Sequence, residues 1–141
     1  MRRKAIPHIR ILIADDHEIF RRGLRALLET SPDWEVCGEA SDGLECVEKT
    51  RELKPDLIVV DMAMPGIDGI EATRRIRKET PQAQVLVLSQ YERGQMLDAV
   101  LSAGARGFVS KVDASRELIK AIKVIVDGAP PSNSPAIVTS P

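Results

Sequence analysis

Ile9-Arg10-Ile11-Leu12-Ile13-Ala14 runs straight into Asp15-Asp16, and further along Leu57-Ile58-Val59-Val60 runs straight into Asp61. Both runs read as β-strands. The second, apolar without interruption, has the pattern of a strand buried on both faces. If the two lie side by side and parallel, three carboxylates converge at one edge of a sheet. Like charges at close range repel, and ionised carboxylates are strongly hydrated. A hard divalent cation with oxygen ligands relieves such a cluster. The expectation is a Mg²⁺ site in which Asp61 is positioned as a nucleophile.

Outward from these runs, strands and helices alternate. Phe20, Leu24, Leu27 and Leu28 recur at helical spacing after the first strand, and Pro32 stops that helix. A second strand is expected over 34–39 and a weaker helix over 43–54, with Leu44, Val47 and Leu53 as its apolar side. A loop with Pro65, Gly66 and Gly69 follows the third strand, then a helix over 70–78. A fourth strand is expected over 85–88 and a helix over 95–103, with Gly104 as its C-terminal cap. The fifth strand covers 107–110. A last helix starts near Ser115, read as its N-cap, and turns Leu118, Ile122 and Ile125 to one face. Five such units with short connections imply an α/β fold with a parallel sheet covered on both sides.

Composition narrows the class. A chain of 141 residues with a net charge of −1 and few aromatics must build one core from Ile, Leu, Val and Ala. Charges of both signs are mixed along it, so nothing electrostatic argues for binding DNA. Cys37 and Cys46 have neither zinc-site spacing nor a disulfide framework and read as small reduced apolar residues. No apolar stretch is as long as a membrane span, and the first run is too short for a signal-peptide core. A cytoplasmic location is expected. Residues 1–7, with Arg2-Arg3-Lys4, read as a solvated tail, 8–128 as the domain, and 129–141, rich in Pro and Ser, as a tail or linker.

Ligands in open parallel sheets bind beyond the carboxyl ends of the strands. Four such ends carry Asp15/Asp16, Asp61, Ser89 and Lys111. Each alone is a helix cap, a solvated charge or a common strand-end hydroxyl. Their coincidence points to phosphoryl chemistry. A metal held by the acids would neutralise the pocket. Asp61 would attack phosphorus and become an aspartyl phosphate. Ser89 would donate a hydrogen bond to one phosphoryl oxygen, and Lys111 would pair with another as a compact cation.

Asp15-Asp16, Asp61 within Asp61-Met62-Ala63-Met64-Pro65-Gly66-Ile67-Asp68-Gly69, Ser89, Phe108 and Lys111 together resemble the receiver domain of bacterial two-component response regulators. The resemblance covers about residues 8–127. Asp16-His17-Glu18 and Ala103-Gly104-Ala105-Arg106-Gly107-Phe108 are similar to the NarL/FixJ (LuxR-type) class. The resemblance implies a flavodoxin-like doubly wound (βα)5 fold with five parallel strands in the order 2-1-3-4-5. It implies phosphotransfer from a sensor histidine kinase to Asp61, with Mg²⁺ held by Asp16, Asp61 and the backbone carbonyl of Ala63, and with Asp15 acting largely through water. It implies a switch in which Ser89 is drawn to the phosphoryl group and Phe108 turns inward, and a regulatory domain that catalyses its own phosphorylation and dephosphorylation rather than an enzyme acting on a substrate. Phosphorylation-linked pairing into a homodimer is a further implication.

Three positions depart from the commonest family pattern. Ala63 offers only its backbone carbonyl. Tyr91, two residues after Ser89, is bulky where water must approach; Ala63 and Tyr91 are both expected to slow hydrolysis of the aspartyl phosphate, and Tyr91→Ala to shorten its life in a decay assay. Val112 follows Lys111 where many receivers have proline, which argues against a cis bond there. His17, beside two acids, reads as a structural or exposed histidine, since a metal site needs several positioned ligands. Trp34, Met62 and Met64 read as packing. A phosphohydrolase of the haloacid-dehalogenase type would place a second acid two residues after its nucleophile, and Ala63 transfers no proton. A flavin or dinucleotide module would want a Gly-rich phosphate loop after the first strand, where Asp15-Asp16 stands instead. The segment after Gly128 is too short for a helix-turn-helix domain. DNA would be reached only through a domain absent from this chain, the other possibility being a stand-alone receiver that signals by protein contacts.

Overall fold

The computed structural model describes residues 8–90 and 93–127, together with 137–138. Six strands form one sheet: β1 (Ile9–Ala14), β2 (Trp34–Ala40), β3 (Leu57–Asp61), β4 (Gln84–Ser89), β5 (Gly107–Ser110) and β6 (Ile137–Val138). Helices α1 (Glu18–Leu28), α2 (Gly43–Leu53), α3 (Gly69–Glu79), α4 (Arg93–Ser102) and α5 (Ala114–Asp127) connect or follow them. The order across the sheet is β2-β1-β3-β4-β5-β6, with the first five strands parallel, as expected. The unexpected member is β6, a two-residue strand antiparallel to β5 within the Pro/Ser-rich segment.

Successive side chains of a strand point to opposite faces, so the sheet sorts the core into two clusters. Leu12, Ala14, Ile58, Val60, Val85, Val87 and Phe108 pack with Cys46, Val47, Ile70, Ile76 and Val100 of α2, α3 and α4. Ile11, Ile13, Leu57, Val59, Leu86, Leu88 and Val109 pack with Leu24, Leu28, Leu118, Ile122 and Ile125 of α1 and α5. Phe108, the β3 run and the centre of β4 are fully buried. Strands closed in on both sides read as continuous apolar runs for this reason.

Local chemistry sets the helix ends. Asp42 and Asp68 cap α2 and α3, each accepting from the backbone N–H three residues on. Gly104, at φ +105°, ends α4 in a Schellman arrangement, with its N–H on Leu101 O and the Ala105 N–H on Val100 O. Two expectations fail. The buried side of α2 is Cys46, Val47 and Thr50, and Leu44 is half exposed. Ser115 is not an N-cap: a 3₁₀ turn, Lys111–Asp113, capped by Ser110, leads directly into α5 at Ala114.

Gly69 presses the α3 start against the end of β3. Its N–H donates to Met62 O at 2.7 Å. A Cβ there would stand 2.8 Å from Met62 Cα and closer still to the Asp61 carbonyl oxygen. Backbone cannot step aside as a side chain can. Gly69→Ala is expected to cost about 1–3 kcal/mol, read as a lower urea midpoint with an unchanged slope.

Candidate functional site

The strand ends converge because the register makes them. Ala14 lies beside Val60, Asp61 beside Leu88, and Ser89 beside Ser110. The residues that follow those ends therefore share one edge. Asp15 is anchored by its N–H on Ala40 O at 3.0 Å, and the chain after Asp61 by the Met62 N–H on Leu88 O at 2.8 Å. Asp15 and Asp61 are buried, and Asp16 is partly open to solvent.

Lys111 reaches back from the end of β5 into this pocket. Its Nζ lies 2.9 Å from Asp15 Oδ2 and 3.3 Å from Asp61 Oδ2, and 4.4 Å from the centre of the Phe20 ring. One cation thus serves two buried carboxylates, an arrangement whose desolvation is costly unless the charges stay paired. Asp61 is held above the ordinary carboxylate range. Burial is the main cause and the neighbouring charge of Asp15 the second, opposed by Lys111 and by the backbone N–H of Ala63.

Carboxylate oxygens of Asp15, Asp16 and Asp61 and a ring nitrogen of His17 lie within 4.8 Å of one another. Such a group can hold a metal ion. Asp15 Oδ2 adds a reason: it is buried and accepts no hydrogen bond, its Lys111 neighbour standing at an angle that makes an ion pair only. An oxygen-rich set with two deeply seated carboxylates fits a hard divalent cation.

The other expected residues fall around this pocket. Ala63 is exposed in the loop after β3. Ser89 is buried at the end of β4 with its Oγ 4.0 Å from Met62 Sδ. Phe108 is fully buried, within the cluster that faces α2, α3 and α4. Tyr91 lies outside the described residues. No cis peptide occurs among the described residues.

Sequence reasoning missed Arg21. Its Nη1 donates to the Asp15 carbonyl oxygen at 2.6 Å while its Nε donates to Glu39 Oε1 at 2.6 Å. Arg25 binds the other oxygen of Glu39, and the two arginines hold that carboxyl below its ordinary range against the opposing effect of burial. Lys49 Nζ donates to the Glu39 carbonyl at 2.6 Å. The arginine and the acid come from different elements, and no spacing pattern announces them.

Comparison with known proteins places this geometry in a class. The family described as response regulator receiver domain matches residues 11–123, and the chain belongs to it. Its work is two-component signal transduction. The chain is 43% identical over 122 residues to the transcriptional regulatory protein LiaR of Bacillus subtilis, covering 86% of this chain and 58% of LiaR. A crystal structure of a LuxR-family two-component response regulator from Aurantimonas sp. SI85-9A1 superposes with a TM-score of 0.82 at 39% identity, covering 86% of each chain. The receiver domain of the putative response regulator NarL from Mycobacterium tuberculosis gives 0.82 at 31% identity, covering 87% of this chain and 99% of that one. The chain spans a little over half the length of the curated relatives it matches. Among the described residues no helix is long and apolar enough to cross a membrane.

Proposed function

We propose that Asp61 accepts a phosphoryl group from the phosphohistidine of a sensor kinase, and that this chain is the receiver part of a cytoplasmic transcriptional regulator whose DNA-binding domain lies beyond it. The observation that carries the reading is a buried carboxylate, Asp61, flanked by a second buried acid and by Lys111 at 3.3 Å. The likeness to a transcriptional regulatory protein and to a LuxR-family regulator supports the transcriptional output. We take 8–128 as the domain, with 1–7 as the tail preceding it and 129–141 as the linker following it, from which Ile137–Val138 pairs along β5.

In the transfer, an Asp61 oxygen attacks phosphorus, a P–O bond forms, the P–N bond to the donor histidine breaks, and the imidazole leaves with its electron pair and takes up a proton. Asp15, Asp16, Asp61 and the carbonyl of Ala63 would hold Mg²⁺. When bound, that ion would neutralise the acids and the incoming phosphoryl oxygens. Lys111 would leave Asp15 to pair with a phosphoryl oxygen, and the Ser89 hydroxyl would donate to another. Ser89 drawn to the phosphoryl group and Phe108 turning inward would then bias the α4–β5 face and a homodimer contact. Water attack on the same phosphorus would return Asp61 to its resting state.

Intact-mass spectrometry after incubation with acetyl phosphate tests this. One added phosphoryl group, dependent on Mg²⁺ and absent from Asp61→Asn, is expected. An adduct that persists in Asp61→Asn would overturn the assignment.

A further inference from the structure

His17 stands at the N-cap of α1 with extended backbone, φ −93° and ψ 104°, yet its side chain makes no capping hydrogen bond. The structural task that a residue there usually performs is not what orients this ring. Instead the His17 backbone N–H donates to Asp15 Oδ1 at 2.8 Å, and the ring lies over the acids, with Nδ1 3.2 Å from Asp15 Oδ1 and 3.4 Å from Asp16 Oδ1. A nitrogen lone pair facing two carboxylates is repulsive, so with no cation present the tautomer with its N–H at Nδ1 suits the pocket. Nε2 can carry that proton instead, because the side chain is more than half exposed. The Nδ1 lone pair then turns to the same point as the carboxylate oxygens, all within 4.8 Å of one another. The buried Asp15 Oδ2, which accepts no hydrogen bond and has the Lys111 ammonium at 2.9 Å as an ion pair only, is a second sign that the pocket is built for a cation.

We propose that His17 makes this pocket a mixed nitrogen–oxygen site, which takes a borderline divalent transition ion such as Zn²⁺ or Co²⁺ in preference to Mg²⁺. Imidazole nitrogen suits zinc and the later first-row ions, whereas Mg²⁺ takes oxygen and keeps several waters. Mg²⁺ would use the acids alone and leave His17 outside. A transition ion would recruit the ring and exclude Mg²⁺ from the same acids. The inference rests on the proposed metal pocket and adds a ligand to it.

Isothermal titration with Zn²⁺, and separately with Mg²⁺, on the wild type, His17→Ala and His17→Gln tests it. Mg²⁺ competition and the visible spectrum of the Co²⁺ form complete the set. Wild type should bind Zn²⁺ more tightly than Mg²⁺, and bound Zn²⁺ should block Mg²⁺ binding. Both His17 variants should lose about tenfold or more in Zn²⁺ affinity, the size of a lost metal-site interaction, while Mg²⁺ affinity stays within about twofold. The Co²⁺ bands should shift in the variants. Zn²⁺ affinity unchanged in both variants would overturn the proposal and leave the acidic pocket standing. Equal losses for both ions would show His17 to be a tether for the acids and overturn it too. Mg²⁺ binding that is unaffected by bound Zn²⁺ would place the Zn²⁺ elsewhere, with the His8–Glu35 pair the first suspect, and overturn the proposal. A wild type that binds neither ion would remove the pocket itself, a failure of the underlying reading and not of His17 alone.

Discussion

In metal-free buffer at neutral pH, Asp61→Asn is expected to melt above the native chain while losing all capacity to take up a phosphoryl group. The fold holds the Asp61 carboxyl above its ordinary range, chiefly by burying it and secondly by facing it with Asp15. An acid whose folded value is raised keeps its proton in the native state at a pH where the unfolded chain has released it. Native stability therefore falls as pH climbs from the ordinary carboxylate value to the raised one, and the deficit stays constant above that window. Asparagine has nearly the same shape and no charge, so it escapes the deficit. The gain should be several degrees, the usual response to about 1 kcal/mol in a domain of this size. It should shrink as pH is lowered through the window and vanish below it. Mg²⁺ should reverse the ranking: saturating the native chain at about 100 times the dissociation constant adds roughly 2.7 kcal/mol, which the variant gains only in part. Thermal melts in chelator and in Mg²⁺, from pH 4 to 8, read both effects. A variant less stable than wild type in chelator at neutral pH would mean that the Lys111 pairing outweighs burial and repulsion.

Lys111→Met should produce the opposite signature. Methionine keeps an apolar stem against Phe20 but removes the ammonium 2.9 Å from Asp15 and 3.3 Å from Asp61. Two buried carboxylates then face each other without a counter-ion. Removing one partner from a buried charge cluster costs about 3–5 kcal/mol, and this loss should be largest in chelator at neutral pH. It should lessen in acid, where one carboxyl takes up a proton, and in Mg²⁺, which supplies the missing positive charge. Mg²⁺ affinity should rise, since no resident cation competes for the acids. Phosphoryl acceptance should nonetheless fall, because the cation intended for the phosphoryl oxygen is gone. Urea titrations with and without Mg²⁺ measure the first pair of effects. An equal loss in both buffers would assign Lys111 to packing rather than to charge balance. Combined with Asp61→Asn, the Lys111 loss should be smaller than in the native background, since only one acid remains to be neutralised.

The central strands were legible because burial on both faces keeps Ile11–Ala14, Leu57–Val60 and Val85–Leu88 apolar until the chain nears the edge of the sheet. That abrupt change puts Asp15 and Asp61 on view in the sequence as the first acids after apolar runs. Their convergence followed from parallel pairing alone. What could not be read depends on side-chain direction and on partners distant in sequence. Leu44 has the spacing of a core residue, but α2 buries Gly43, Cys46, Val47 and Thr50 instead and leaves Leu44 half exposed. Arg21 is one arginine among many until Glu39 is brought to it by β2. His17 reads as exposed and its side chain is more than half exposed, but nothing in the order Asp16-His17-Glu18 shows that the ring also lies beside the acids. Strand β6 lies in a segment whose composition argues for linker, and an antiparallel pair of two residues leaves no periodic trace.

The division of the core by the sheet has a mechanical consequence. Phe108 and Val109 are neighbours in the chain, yet one is sealed into the layer of α2, α3 and α4 and the other into the layer of α1 and α5. The close-packed strands between them act as a bulkhead. A rotation or shift of the Phe108 ring has room to be accommodated only on its own side, where Val100, Ala103 and Ala105 adjoin it. A displacement of that ring would meet α4 on its own side, while α1, the helix beside the acids, packs in the other layer of the core.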